Sequence, residues 1–268
     1  MTGIFCGRTF AGDAKMRVPC WKAVAAISAL LLLVRIADAA EVTLISVGGV
    51  KQALDKIVTD YTKETGNQVK YAVGSPLIVS KRLADAEVFD VIVQSAPAMD
   101  DYAKLGGVNV DARVRVARGG IGMAIRKDAI PPDISTLDAF KKAIMDAKSI
   151  AMTDTAMSNG SGILTQLIFN DAGVMDAIKS KIKVVGLDPG QEQIAKGEIE
   201  IGFFNISEIR SFVKFAGAVP GSLQKYTNYD AAVTTKSTAT QAAAALVRMI
   251  ASPTSAVHWK SAGMEPAH

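Results

Sequence analysis

The chain has 268 residues, of which 49% are hydrophobic and 21% are charged, and this balance is typical of a globular protein. The first 39 residues hold five of the 30 basic and two of the 26 acidic residues, so 25 basic and 24 acidic residues remain in the rest. Because this body is nearly neutral, with no basic stripe and no RNP-like aromatic pattern, we expect no nucleic-acid partner.

The first 39 residues have the three parts of an export signal. A basic segment, "MRVPCWK", precedes the apolar run "AVAAISALLLLV", and "ADA" supplies small residues around a cleavage site. The apolar run is shorter than the ~20 residues of a membrane-spanning helix. We therefore predict a cleaved signal peptide over residues 1–39 and a periplasmic protein, with a non-cleaved anchor as the alternative. Met1 and Met16 are both possible starts of this signal.

Both cysteines, Cys6 and Cys20, lie in the predicted signal peptide. The mature chain would therefore contain no thiol. This excludes a disulfide, a cysteine nucleophile and a thiolate metal site from the mature protein.

Beyond residue 40, strand-like and helix-like segments alternate. "EVTLIS" is followed by "VKQALDKIVTDYTKETG", whose apolar residues have helical spacing and whose Gly66 suits a helix C-terminus. After the strand-like "QVKYAV", Ser75 and Pro76 have the pattern of an N-cap and a first helical residue. "FDVIVQS" is a nearly continuous apolar run, typical of a strand buried on both faces. The alternation predicts an α/β fold with a mostly parallel sheet.

The second half of the chain repeats this pattern. The predicted strands lie in "GIGMAIRKD", "KSIAMTD", "KIKVVG", "EIEIGFFNIS" and "SLQKYTNYDAAVTTKS". The helices between them are predicted to begin at Ser135 or Thr136, at residue 162 and at Asp188. After the last strand, "TQAAAALVRMIASPTSAVHWKSAG" predicts two helices, the second of them capped by Ser252. Two sheets of similar size predict two lobes, formed by residues 40–117 plus 236–268 and by residues 118–235. The crossovers are expected near residues 114–119 and 234–237.

Several common catalytic and cofactor motifs are absent from the sequence. The loop "SNGSG" lacks the lysine of a nucleotide phosphate loop, and "GGIG" lacks the third glycine of a dinucleotide fingerprint. No G-x-S-x-G motif occurs, and the only two histidines, His258 and His268, are close to the C-terminus. A Ser-His-Asp triad and a histidine metal site are therefore not expected, and we predict neither a cofactor nor a metal.

Three helix starts follow strands and form the predicted binding site. They contain Gly48, Gly49 and Val50; Ser75; and Ser158, Asn159, Gly160 and Ser161. Loops at the carboxyl ends of parallel strands gather at one edge, and helix N-termini present free N–H groups to an anion. The alternative is that each loop is only a cap or a turn.

The order of these segments resembles a known family. "VTLISVGGVKQALDKIVTDYTKETGNQVKYAVGSPLIVSKRLADAEVFDVIVQS" is similar to the first lobe of molybdate-binding-type periplasmic solute-binding proteins of ABC importers, which are type II periplasmic binding proteins. "GEIEIGFFNISEI", "SLQKYTNYDAAVTT" and "SPTSAVHWKSAGMEP" resemble the late strands and the closing helix of that family. The resemblance implies a two-lobe fold that binds an anion in its cleft.

Individual positions match that family only in part. The family has a serine where this chain has Gly49, a second hydroxyl that Ser75 matches, and a tyrosine that would fall at about Asn205. Arg118 and the amide of Asn159 could instead suit a carboxylate, since arginine offers a bidentate fork.

The resemblance implies an extracytoplasmic binding protein, expected to be a monomer, that delivers a small anion to an ABC permease. The sequence also resembles aconitate isomerase-like proteins on the same scaffold, and that chemistry needs an acid or base, for which Glu208, Asp154, Asp230 and Lys81 are the candidates. A receptor for signalling is a third possibility. The predicted lining contains no carboxylate or histidine, and this favours binding without catalysis.

Overall fold

The computed structural model of the protein describes residues 39–155 and 161–267. All of the predicted signal peptide except Ala39 lies outside these ranges, so the signal stays a prediction. The described chain from Ala39 onward forms a single compact unit. Within these ranges, no helix has both the length and the apolar composition needed to cross a membrane.

Ten strands form one mixed sheet. In chain order they are β1 (Glu41–Val47), β2 (Gln68–Gly74), β3 (Val91–Ser95), β4 (Val114–Arg126), β5 (Ile150–Thr153), β6 (Ile182–Val185), β7 (Ile201–Asn205), β8 (Val213–Ala218), β9 (Tyr226–Val233) and β10 (Met264–Pro266). The hydrogen-bonded order is β2-β1-β3-β9-β4-β7-β5-β6, and β8 and β10 also pair with β4.

The helices lie between these strands. In the described ranges they are α1 (Lys51–Thr65), α2 (Pro76–Ala84), α3 (Ala96–Lys104), α4 (Leu137–Asp146), α5 (Ser161–Asp171), α6 (Met175–Ile178), α7 (Leu187–Lys196), α8 (Thr240–Ile250) and α9 (Ala256–Ser261). Single 3-10 turns occur at Gly48–Val50, Val110–Ala112, Lys179–Lys181, Ile206–Glu208 and Pro253–Ser255. The predicted alternation of strands and helices is confirmed.

The sheet has two halves that share strand β4. The first half contains β1, β2 and β3, which run parallel, together with the antiparallel β9. The second half contains the parallel strands β5, β6 and β7, with β8 on the side of β4. Residues 114–120 of β4 pair with β9, and residues 121–125 pair with β7. One long strand therefore crosses from the first half to the second.

The return crossover lies earlier than the sequence suggested. The predicted second lobe extends to residue 235, but β9 is hydrogen-bonded to β3 and β4 and belongs to the first half. The chain passes back through residues 219–225, whereas Thr234 and Thr235 bond to the backbone of Asp90 and Gly107 in the first half. Hydrophobic periodicity predicts whether a segment is a strand or a helix, but not the distant strand with which it pairs.

Each half of the sheet has its own hydrophobic core. In the first half, α1, α8 and α9 pack around residues such as Leu54 and Trp259, and the Trp259 ring nitrogen donates to the carbonyl of Ile250. In the second half, Phe203 of β7 makes edge-to-face contacts with Phe140 and Phe169, at centroid distances of 5.9 and 5.1 Å. Such aromatic pairs stabilise by about 0.5–1.5 kcal/mol each beyond the area they bury.

Most predicted helix boundaries agree with the structure. Ser75 and Ser252 cap their helices, Thr136 rather than Ser135 caps α4, and Gly66 ends α1 with a φ of 76°. The predicted N-cap of α7, Asp188, was wrong. The N-cap is Gly186, the helix begins at Leu187, and Asp188 lies within its first turn. Strands β8 and β10 were missed. Both are short edge partners of β4, and β8 contains a glycine that weakens its strand pattern.

Candidate functional site

A cleft of about 590 Å³ opens at the carboxyl ends of several strands. The described residues that line it from the first half are Val47, Gly48, Gly49, Val73, Gly74, Ser75, Pro76, Gln94, Ser95, Thr227 and Tyr229. Those from the second half are Thr153, Asp154, Ser161, Val184, Val185, Gly186, Leu187, Asn205 and Glu208. This is the edge where ligands bind in open α/β sheets.

The first helix start lies directly after β1. The turn Gly48–Val50 continues into α1, so the N–H groups of Gly48 and Gly49 have no acceptor one turn earlier in the helix. A Cβ atom on Gly49 would be 2.7 Å from the hydroxyl oxygen of Tyr229. Position 49 therefore has to be glycine for the phenol to lie against this helix start.

Tyr229 brings a phenol to the cleft that was not predicted from the sequence. The related family was expected to have a tyrosine at about position 205, and this chain has Asn205 there. The structure instead brings Tyr229 of β9 to the cleft, where burial raises the pKa of its phenol well above the ordinary value. The phenol is therefore a neutral hydrogen-bond donor at physiological pH.

Ser75 is the second predicted hydroxyl and lines the cleft. Its Oγ accepts a hydrogen bond of 3.3 Å from the N–H of Ile78 and thereby caps α2. Because the cap uses the oxygen as an acceptor, the hydroxyl hydrogen can still be donated to a ligand. Ser75 thus combines a structural and a possible binding role in one side chain.

The third predicted loop is described only at its end. Ser158, Asn159 and Gly160 lie outside the described residues, and their part in the site stays a prediction. Ser161 lines the cleft at the start of α5, and its Oγ is 2.9 Å from the hydroxyl of Thr153. A Cβ on Gly162 would be 2.4 Å from the carbonyl oxygen of Thr153, so α5 lies tightly against the end of β5.

Asn205 and Glu208 form a hydrogen-bonded pair on the opposite wall. Asn205 ends β7, and the turn Ile206–Glu208 brings the glutamate back so that Asn205 Nδ2 donates to Glu208 Oε2 at 2.7 Å. The other carboxyl oxygen, Oε1, is 3.3 Å from the place of a Cβ on Gly48. Burial raises the pKa of Glu208 above its ordinary value, although the bond from Asn205 opposes this rise.

Gln94 was not singled out from the sequence, although it lines the cleft. Its side chain is only 1% exposed, and its Oε1 accepts from the N–H of Ser95 at 3.1 Å. Nε2 finds no hydrogen-bond partner among the described residues, nor does the Oδ1 atom of Asn205. Buried polar atoms are rarely left unpaired. The position of Gln94 in an otherwise apolar strand, "FDVIVQS", was the available signal.

Two predicted site residues lie away from the cleft. Val50 is fully buried in the first core. Arg118 is exposed on β4, where it pairs with Glu265 and its guanidinium carbon lies 4.1 Å from the centre of the Tyr226 ring. The β4 residues alternate between faces, and the Arg118 side chain lies on the same face as the side chains of Glu265 on β10 and Tyr226 on β9.

The predicted absence of carboxyl groups from the cleft was wrong, because Glu208 and Asp154 both line it. The other two candidate acid or base residues lie elsewhere. Asp230 forms ion pairs with Arg113 and Arg115. Lys81 pairs with Asp85 on the exposed face of α2. The lining thus holds carboxyl, hydroxyl and amide groups, with no lysine, arginine or histidine from the described ranges.

Nearly all of the folded chain matches a known family model. The model describes bacterial extracellular solute-binding proteins, and it matches residues 42–265. An aconitate isomerase from Pseudomonas sp is 31% identical over 232 residues, which are 84% of this chain and 87% of that protein.

Solved structures with the same fold include two oxyanion-binding proteins. The periplasmic molybdate-binding protein of Azotobacter vinelandii has a TM-score of 0.69 at 16% identity, over 83% of this chain and 98% of that structure. The sulfate-binding protein SubI from Mycobacterium tuberculosis H37Rv has a TM-score of 0.65 at 16% identity, over 85% of this chain and 87% of that structure. These likenesses confirm the predicted two-lobe fold of type II periplasmic binding proteins.

Proposed function

The chain belongs to the bacterial extracellular solute-binding protein family, and from this premise we propose that it captures a small organic anion in its cleft for an ABC importer. The observation that carries the proposal is that five helix starts line one cleft. They are the turn that leads into α1 and the first residues or N-caps of α2, α3, α5 and α7. A helix start carries backbone N–H groups that have no acceptor within the helix, and the positive end of the helix dipole. Anions bind at such positions without a neighbouring cation.

The amide nitrogen of Gln94, which has no partner in the described part of the chain, supports the same proposal. Its Nε2 is buried at the cleft and needs an acceptor, and the oxygen of a carboxylate or oxyanion would provide one. The hydroxyl groups of Ser75 and Tyr229 add two further donors on the same side. A hydrogen bond to a charged group is typically worth about 1.5–3 kcal/mol.

The size and the walls of the cleft favour an organic carboxylate over a tetrahedral oxyanion. At about 590 Å³ the cleft has ample room for a carbon skeleton. Val73, Pro76, Val184 and Leu187 give it apolar walls, which suit carbon atoms rather than oxygen atoms. The serine expected in a molybdate site is replaced by Gly49. We therefore favour a dicarboxylate or tricarboxylate.

The cellular role that follows is transport. A periplasmic protein, exported by the predicted signal peptide and acting as a monomer, would deliver the anion to a permease in the membrane. Its family and the two oxyanion-binding proteins with the same fold support this role.

The test is a binding screen with a matched pair of variants. Isothermal titration of the purified protein with molybdate, sulfate, malonate, citrate and cis-aconitate should give saturable binding of a carboxylate. Ser75→Ala should weaken this binding by about tenfold to a hundredfold. Thr136→Ala removes the equivalent cap from α4, outside the cleft, and should leave the affinity unchanged. A screen without any binding would refute the proposal.

A second candidate is isomerisation of a small tricarboxylate. The 31% identity to an aconitate isomerase favours it, and so does the presence of Glu208 and Asp154 in the cleft. One carboxylate would take a proton from a substrate carbon, and a second group would return a proton to another carbon, so that the double bond moves without net change in composition. Proton NMR of cis-aconitate with the protein tests this. Turnover that Glu208→Gln abolishes would establish the enzyme, and unchanged spectra over hours would support the receptor.

A further inference from the structure

The carboxyl group of Glu208 is oriented in the cleft by one hydrogen bond, and its second oxygen lies near Gly48. Its Oε2 accepts the hydrogen bond from Asn205 Nδ2, which leaves the other oxygen unbonded within the described ranges. That oxygen, Oε1, is the one 3.3 Å from the place of a Cβ on Gly48, at the helix start that precedes α1. Oε1 therefore lies beside the backbone N–H groups that are best placed to bind an anion.

Among the described residues that line the cleft, none is a cation that could balance a negative charge on Glu208. The titratable groups that share the cleft with it are the phenol of Tyr229 on β9 and the carboxyl of Asp154 after β5, and neither can be positive. The first basic residue of α1, Lys51, forms an ion pair with Asp55 on the exposed side of that helix.

On the outer side, two charged residues face Glu208. Arg210 favours its ionised form and Asp188 opposes it, and these two residues are themselves paired, with Arg210 Nε 2.8 Å from Asp188 Oδ1. The charge of Arg210 is thus largely neutralised by its own partner. An anion placed at Gly48 would meet an ionised Glu208 at close range, where two like charges repel strongly in a partly buried site.

We propose that Glu208 binds the anion as a neutral carboxylic acid, with Oε2 accepting from Asn205 and the protonated Oε1 donating to the ligand, so that capture of one anion takes up one proton from solvent. This inference rests on the anion-binding function proposed above. The proton is released again with the anion, and no covalent bond changes. Burial already raises the pKa of the glutamate in the empty cleft, and a bound anion would raise it further.

The expected signature is a pH-dependent affinity. If only the protonated form binds, the dissociation constant rises about tenfold for each pH unit above the pKa of Glu208 in the empty protein. An anion with no titration of its own between about pH 7.5 and pH 9, such as cis-aconitate or sulfate, separates this effect from protonation of the ligand.

The experiment is calorimetric titration of the full protein with cis-aconitate and, separately, with sulfate, at several pH values and in two buffers of different ionisation enthalpy. The buffer dependence should report uptake of about one proton per bound anion above the pKa of Glu208. Glu208→Gln keeps an amide donor and a carbonyl acceptor but cannot titrate, so its dissociation constant should be the same at low and high pH. Asp138→Asn, which alters an exposed carboxyl in the first turn of α4, outside the cleft, should retain the proton uptake.

The outcomes separate this inference from the function on which it rests. Absence of binding at every pH refutes the anion-binding function itself. Binding by the unaltered protein without proton uptake, or with an affinity independent of pH, refutes the role of Glu208 alone, and this measurement needs no variant. Turnover of cis-aconitate that rises with pH through the titration of Glu208 and that Glu208→Gln abolishes would also overturn the inference, because Glu208 would then act as a base and must be ionised in the complex.

Discussion

The side chain of Asp90 joins β1 to the segment ahead of α8, and its replacement by asparagine should destabilise the protein in a pH-dependent way. The residue is 3% exposed. Its Oδ2 accepts from the N–H and hydroxyl of Thr43 on β1, and its Oδ1 accepts from Ser237, Thr238 and Ala239 ahead of α8. All five groups donate to the carboxylate. In asparagine an NH2 group replaces one of the two carboxylate oxygens, and it would face donors from which it cannot accept a hydrogen bond.

The size of the effect follows from the pKa of this carboxyl. Burial alone would raise the pKa of Asp90, but the hydrogen bonds from Thr43, Ser237 and Ala239 outweigh burial and lower the pKa to about 2. Relative to an ordinary value of about 3.9, this difference corresponds to about 2.5 kcal/mol of folding stability. Because the folded pKa is the lower one, the stabilisation is complete above about pH 4 and is lost as the pH falls towards 2, with about 1 kcal/mol lost by pH 3.

Urea unfolding followed by far-UV circular dichroism at pH 7, 5, 4 and 3 measures this contribution. Asp90→Asn should lower the free energy of unfolding by about 2–3 kcal/mol at neutral pH. At pH 3 this difference in the free energy of unfolding between the variant and the unaltered protein should be smaller by about 1 kcal/mol. Asp55→Asn removes an exposed carboxylate paired with Lys51 and should change stability by less than about 0.5 kcal/mol. A gap that stays constant from pH 7 to pH 3 would refute the reasoning.

Three further variants test the cleft and the structure around it. Tyr229→Phe should weaken anion binding by about tenfold, because it removes a neutral donor from the cleft, and an unchanged dissociation constant in titration would contradict this role. Gly162→Ala should destabilise the fold by about 1–3 kcal/mol in urea unfolding, since its Cβ would lie 2.4 Å from the carbonyl oxygen of Thr153; a neutral result would mean that α5 can shift. Arg118→Ala should leave the anion affinity unaltered, because the guanidinium pairs with Glu265 on an exposed face. A clear loss of affinity would show that Arg118 takes part in anion binding.

The local order of elements could be read from the sequence because its signals are short-range. Hydrophobic periodicity identified α1, and the Ser75-Pro76 pair and Gly66 marked helix ends through hydrogen bonds that span only a few residues. The rule that loops at the carboxyl ends of strands meet at one edge then brought Gly48, Gly49 and Ser75 correctly to one cleft.

The remaining site residues depend on pairings between distant segments. Tyr229 reaches the cleft only because β9 lies between β3 and β4, and this antiparallel insertion leaves no periodic mark in the sequence.

By itself, then, the sequence determined the α/β class, most helix boundaries and the helix starts at Gly49 and Ser75, because these depend on interactions within a few residues. Only the tertiary structure decided that Glu208 and Tyr229 lie in the cleft and that Arg118 does not. Glu208 points into the cleft because a single 3-10 turn after β7 lets Asn205 bond its carboxyl group. Arg118 points away from the cleft, on the face where it contacts the side chains of Glu265 and Tyr226. The direction of a side chain relative to a cleft is set by the packing of whole elements, which no local pattern encodes.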